Sequence, residues 1–161
     1  GTGRTGIVLS ALIAVAFLAI SLDVDLSPRL QRGNWRDVAN ALRGRVGGDR
    51  NYAITTVELG SAPLEYYLHG LHELHARRSV LVREIDETGY APLRASAGAP
   101  PAPGFRLKAR LDIDGLIVYR FASVTARLVS EEALRRHVIT LAAPNVLVPA
   151  NSQANFTDVR G

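Results

Sequence analysis

From Gly6 to Leu22 the chain reads GIVLSALIAVAFLAISL, a run without a single charged side chain. Coiled as a helix, about 17 residues rise roughly 25 Å, the short end of what crosses the hydrocarbon of a bilayer. The apolar side chains fall on every side rather than along one stripe, so such a helix needs surrounding protein or surrounding lipid. A chain of 161 residues builds one ordinary domain and has no interior wide enough to enclose it. The run therefore predicts a transmembrane helix, with its flanks at residues 1–26, tethering whatever folds behind it.

Two other readings compete for the same stretch. Gly1, Gly3 and Gly6 spell G-x-G-x-x-G, and Asp23 and Asp25 follow about 20 residues on, the spacing of a dinucleotide fingerprint. That fingerprint must leave a β-strand and open an amphipathic helix; here no strand precedes it and the helix has no polar face. The second competitor is a cleaved secretory signal, with Arg4 ahead of an apolar core and Ala19-Ile20-Ser21 as a small-x-small cleavage site. The flanking charges pull both ways on orientation. Arg4 before the run and Asp23 and Asp25 after it suit an inside-to-outside course, whereas Arg29, Arg32 and Arg36 follow closely and oppose it.

Composition narrows the rest. With 47% apolar and 21% charged residues the chain has the makeup of a folded domain. It has no cysteine, which removes disulfides and thiolate metal sites. It has no methionine either, even at position 1, which points to a piece of a longer protein. Lys108 is the only lysine among nineteen basic residues, and this arginine bias with abundant Ala and Gly points to a high-GC bacterial source. The net charge of +4 is spread among interleaved acids, without the one-faced basic stripe that nucleic acid requires, so no nucleic-acid partner is expected.

Behind the apolar run, Asn34 is an N-cap for a helix whose first turn is Trp35-Arg36-Asp37, with Asp37 near the positive helix end. Trp35, Val38, Ala39 and Leu42 recur at helical spacing and predict its buried side, and Gly47-Gly48 stops it. Tyr52–Val57 reads as a strand. Ser61-Ala62-Pro63 opens a helix from Leu64 to about Leu68 that ends at Gly70, with Pro63 in its tolerant first turn. Ser79–Ile85 is a second strand. Strand, helix, strand in this order predicts a small α/β domain, a Rossmann-like β-α-β arrangement with a parallel sheet. Residues 89–104 turn to Ala, Pro and Gly and predict an extended, mobile loop. Phe105–Leu111 and Leu116–Phe121, joined around Asp114-Gly115, predict a C-terminal β-hairpin. Ser130 caps a short helix through Glu131-Glu132 to about Val138, and Asn145–Val148 reads as an edge strand that Pro149 ends. The expected organisation is an anchor at 1–26, an α/β domain at 27–150 and a flexible tail at 151–161.

Few constellations invite chemistry. His69, His72 and His75, with Glu73, are spaced three and three; on one helix the outer pair would drift by roughly 60°, and Gly70 interrupts the run. The plainer reading is an exposed basic turn with Arg77 and Arg78. Asp112 and Asp114 sit in the hairpin turn, where Asp serves backbone geometry. Asp23 and Asp25, at the helix exit, are placed to hold a divalent ion against a lipid phosphate, on the strength of two carboxylates alone. Ser61 and Ser79 have no His–Asp partners identifiable from sequence. Asn155-Phe156-Thr157 matches a glycosylation acceptor that a bacterial protein leaves idle. Trp35, Tyr66 and Tyr67 have rings that could stack on sugars, but their helical spacing beside apolar residues assigns them to the core. No catalytic, cofactor-binding or metal residue is assigned.

After the hydrophobic span come Asn34-Trp35-Arg36-Asp37-Val38-Ala39-Asn40-Ala41-Leu42, Gly48-Asp49 before a strand, Ala62-Pro63-Leu64-Glu65-Tyr66-Tyr67-Leu68, and later Gly115-Leu116-Ile117-Val118-Tyr119-Arg120-Phe121. This pattern resembles the C-terminal portion of polytopic glycosyltransferases of the GT-C type, similar to bacterial dolichyl-phosphate-mannose–protein mannosyltransferase relatives. The resemblance implies a large membrane enzyme that moves a sugar from a polyprenyl-phosphate carrier to an extracytoplasmic acceptor. The family's catalytic acidic residue lies in its first external loop, a region this chain does not contain. The chain would then be the last membrane helix and a non-catalytic accessory domain outside a bacterial cell membrane. Its implied partners are the lipid bilayer, the remaining transmembrane part of the same protein, and the polyprenyl-phosphate sugar and acceptor. No cofactor is implied for this piece, a divalent metal belonging to the full enzyme. The competing class is a non-enzymatic, membrane-tethered binding module or subunit of an envelope assembly; a secreted enzyme with a mature start near Leu22 comes third.

Overall fold

The computed structural model describes residues 2–26, 34–46, 51–137, 139–150 and 152. It divides into two compact units at the junction of Gly33 and Asn34. The Gly47-Gly48 helix stop, Asp49, Arg29 and Arg32, Val138, and the glycosylation triplet with almost all of the tail lie outside the described residues, while the last helix ends at Arg136, short of the expected Val138.

The first unit is one helix, α1 (Thr2–Leu26). Its stretch Gly6–Asp23 is long and apolar enough to cross a membrane, and no part of it is buried by protein. Val15 is 65% exposed and Phe17 67%, so the helix presents bare hydrocarbon on its whole circumference. Gly3 and Gly6 both lie inside α1, which removes the strand-to-helix turn that a dinucleotide fingerprint needs.

The second unit runs α2 (Trp35–Val46), β1 (Tyr52–Val57), α3 (Glu58–Tyr67), β2 (Leu71–Glu73), β3 (Ser79–Tyr90), β4 (Arg106–Ile113), β5 (Leu116–Ser130), α4 (Glu131–Arg136) and β6 (Pro144–Pro149). The strands form one mixed sheet in the order β2-β6-β1-β3-β5-β4. Only β1 and β3 are parallel, joined by a crossover through α3 and β2; every other pairing is antiparallel. The domain is therefore α/β, with one β-α-β unit inside a largely antiparallel sheet rather than a run of parallel strands.

Local chemistry starts the helices where the sequence predicts. Asn34 Oδ1 accepts from the Asp37 amide at 3.2 Å, and Ser130 Oγ accepts from the Ala133 amide at 3.2 Å, each satisfying an orphan donor of a first turn. The helix α3 differs. It starts at Glu58, straight out of β1, with Val57 at its N-cap and no side-chain cap, and carries Pro63 inside it. Its burial of Leu64 and Leu68 compensates for that poor local chemistry. Gly60 is a glycine for a reason of space: a Cβ there would run into Thr56 Oγ1 and the Trp35 ring.

The sheet is covered on both sides, giving two cores. On one side α2 and α3 bring Val38, Ala39, Leu42, Leu64 and Leu68 onto Tyr52, Ile54, Val118 and Leu147. On the other, Ala53, Ile85, Phe121, Val146 and Val148 pack with Leu134 of α4 and with Phe105. A register shift in β3 between Val82 and Glu84 decides which residues share a side. Val80, Val82 and Ile85 all join the second core, which a strict two-residue alternation would forbid; one slipped residue moves every later side chain to the opposite face.

Several expectations need correction. The last strand is not an edge: β6 lies between β2 and β1, because Leu71–Glu73, read as part of a turn, pairs with its outer side. The second strand continues from Ile85 to Tyr90, so it takes in the first two residues of the Pro/Ala/Gly segment. Arg94 N–H donates to the Ile139 carbonyl at 2.8 Å, and Leu93, Ala97 and Ala102 pack on the core. Tyr66 is 71% exposed, while Trp35 and Tyr67 pack against the first core as the spacing predicts. The hairpin turn lies at Asp114-Gly115 as expected, with φ of 48° and 83°, values that a right-twisted two-residue turn demands.

Candidate functional site

Buried charged side chains stand in β3 and β5, neighbouring strands inside the sheet. In β3 the sequence Glu84-Ile85-Asp86-Glu87 alternates sides, so Glu84 and Asp86 face α2 and α3 while Glu87 faces α4. Arg120 of β5 is the register partner of Asp86. Its Nε donates to Asp86 Oδ1 at 2.8 Å and stands 3.3 Å from Glu84 Oε1; its Nη2 donates to the Ala41 carbonyl of α2 at 3.3 Å. The three side chains are 10%, 5% and 15% exposed for Arg120, Asp86 and Glu84, so the group is screened from water and ties β3, β5 and α2 together. Burial, and then the charge of Asp86, push the Tyr52 hydroxyl up to about 12, which keeps it protonated across the physiological range.

On the opposite side, Glu87 is almost wholly buried and its Oε1 lies 2.6 Å from His137 Nδ1, just past α4. Phe121 meets the His137 ring edge-on at 6.3 Å. Thr55 of β1 is the register neighbour of Glu87 on this side, and the Thr140 methyl lies over Gly89, one pleat further along β3. Burial raises the Glu87 carboxyl above its ordinary range despite the stabilising bond to His137. That same bond to Glu87 raises His137, against the downward pull of burial. The pair can hold one proton between a carboxylate and an imidazole, with the ring orientation set by the carboxylate.

The residues singled out from sequence are placed apart. His69 lies in the turn that closes α3, His72 on β2 and His75 in the loop beyond, so no helix presents them on one face. Burial, then the neighbouring His75, lower His72, with Glu65 opposing. Glu73 accepts from Arg135 Nη2 at 2.7 Å. Among the described residues no three His, Asp or Glu side chains come together to hold a metal ion. Asp114 does more than shape its turn: Asn34 Nδ2 donates to it at 2.8 Å and to Asp37 at 2.7 Å, fastening the hairpin to the start of α2. Ser61 Oγ accepts from Asn145 Nδ2 at 3.1 Å, and Ser79 opens β3 opposite Ser130. Asp23 is exposed on α1; the Asp25 side chain lies outside the described residues.

Neither buried charge group was read from the sequence. The available signal was REIDE inside a strand and Arg120 inside LIVYRF: charges in apolar runs that cannot be surface positions if both sheet faces are covered.

Two outcomes follow for stability. Arg120→Met leaves two acidic side chains under α2 without that cation and should cost about 3–5 kcal/mol in urea unfolding of the 161-residue chain, with Arg120→Lys restoring part of the loss. The second concerns pH. Both Glu87 and His137 have raised folded-state values, so each contributes stability that is full below its ordinary value, 4.5 or 6.5, and is lost as pH rises through the folded value. Glu87→Gln removes the carboxylate that holds the imidazolium. The variant should therefore be less stable than the parent where Glu87 is ionised and His137 protonated, and should close that gap or overtake it as pH falls through the Glu87 value or rises through the His137 value, read from unfolding midpoints across a pH series.

No family model matches the chain, and no curated protein or solved structure matches it either.

Proposed function

We propose that the chain is a membrane-tethered α/β head: the last membrane helix and non-catalytic accessory domain of a GT-C type glycosyltransferase that uses a polyprenyl-phosphate-linked sugar. The observation that carries the tether is α1, whose stretch Gly6–Asp23 exposes apolar side chains all round with none buried by protein. In water, hydrocarbon exposed on this scale is strongly unfavourable; a bilayer removes the penalty. In this reading the head stands on the extracytoplasmic side of a bacterial cell membrane, and the β1–α3–β3 crossover is its Rossmann-like element.

Support for the transferase half comes from where the resembling words fall. Asn34–Leu42, Ala62–Leu68 and Gly115–Phe121 are far apart in sequence, yet Val38, Ala39, Leu42, Leu64, Leu68, Leu116 and Val118 meet in one core, while Ile117, Tyr119 and Phe121 of the third word face the other. The exposed Tyr66 ring offers a face for a sugar. The head's role is to cover the active-site cavity or guide the acceptor.

Two measurements bear on this. Val15→Arg at the centre of the apolar run should cost about 2.5–3.5 kcal/mol of membrane insertion, read as chain lost from the floating fraction in vesicle flotation; unchanged flotation removes the tether. Deleting residues 34–161 from the longer transferase should lower transfer rate or change acceptor choice. If both stay normal, the accessory role fails and the non-enzymatic binding module becomes the better reading.

A further inference from the structure

Four polar atoms on the α4 side of the sheet are buried and have no hydrogen-bond partner in the protein: Glu87 Oε2, His137 Nε2, Thr55 Oγ1 and Thr140 Oγ1. Thr55, Glu87 and Thr140 are each at most 2% exposed. They are neighbours by construction. Thr55 and Glu87 are register partners of a parallel pair, His137 is bonded to Glu87, and Thr140 lies over Gly89, the next residue of β3 on that side. A buried group left unsatisfied costs about 1–3 kcal/mol, more when charged, so a cluster of four is not tolerated without an occupant.

The chemistry of the four selects the occupant. With Nδ1–H donating to Glu87, the neutral His137 ring has only an Nε2 lone pair to offer, and Glu87 Oε2 is likewise an acceptor. The two threonine hydroxyls are free to donate. Two acceptors and two donors are the complement of a water molecule, which donates twice and accepts twice. Glu87 excludes an anion, and polar atoms on several sides exclude an apolar guest. A metal ion would suit the carboxylate, but among the described residues no three His, Asp or Glu side chains come together to hold one. The cover is sewn shut: Leu93 bridges to Thr140, and Arg94 donates to the carbonyls of Ile139 and Thr140 at 2.8 Å each. Only a small occupant suits so closed a position.

We infer that Thr55, Glu87, His137 and Thr140 enclose an internal hydration site holding about one or two long-lived water molecules, which complete the hydrogen bonding of the Glu87–His137 pair. The water then fixes the imidazole tautomer and gives the buried carboxylate its second partner.

The test is solution NMR of the isotope-labelled 161-residue chain in detergent micelles, reading magnetisation transfer from water. Long-lived water contacts are expected at the His137 ring protons and the Thr140 methyl, with the neutral ring protonated on Nδ1. Thr55→Val with Thr140→Val should weaken or abolish those contacts at His137. The parent chain decides alone if that variant does not fold. Absence of water contacts at a well-resolved His137 ring overturns the inference, and so does displacement of its signals on exchanging sodium for potassium, which would make the occupant a cation.

Discussion

Where both faces of the sheet are covered no solvated side is left for a charge, and this protein carries Glu84, Asp86, Glu87 and Arg120 there, in β3 and β5. Each must then meet an opposite charge within the fold, and the meeting places organise the domain. On one side Arg120 lies between Asp86 and Glu84 and reaches the Ala41 carbonyl, which locks α2 in position over β3 and β5. On the other, Glu87 holds His137 and thereby fixes the chain as it leaves α4. The register slip between Val82 and Glu84 is what sends the two sets of carboxylates to their proper sides. Without it Glu84 and Asp86 would fall on the face of Val80 and Val82, among apolar neighbours that could not receive them.

Polar ties of this kind are directional, so they add specificity to cores that apolar packing alone would leave interchangeable. The pattern extends to the domain's rim. Asn34 caps α2 and also grips Asp114, so the start of the helix and the hairpin turn are held by one amide. At the open end of the sheet, β4 shows Arg106, Lys108 and Arg110 to solvent, charges that discourage another strand from adding there. The other end is closed by β2, only three residues long.

The proposed anchor obeys different physics. In α1 the stretch Gly6–Asp23 is apolar and unburied by protein, so what it requires is that hydrocarbon be removed from water. For the proposed accessory role this separation matters: the tether would set where the head works, whatever the packing within the head.

The sequence by itself determined the features that depend on neighbours along the chain. These are the apolar helix from its unbroken run, the caps at Asn34 and Ser130 from their side-chain oxygens, and the Asp114-Gly115 turn from its need for positive φ. The start of α3, the length of β3 and the interior place of β6 were not legible, because each depends on partners distant in sequence. Pro63 is tolerated inside a helix by burial, β3 runs on because β5 pairs with it to Tyr90, and β6 is enclosed by a three-residue strand too short to signal itself. The candidate site was the least legible. A glutamate and a histidine 50 residues apart become a pair only when a strand face and a helix end meet, and that proximity is a property of the folded chain alone.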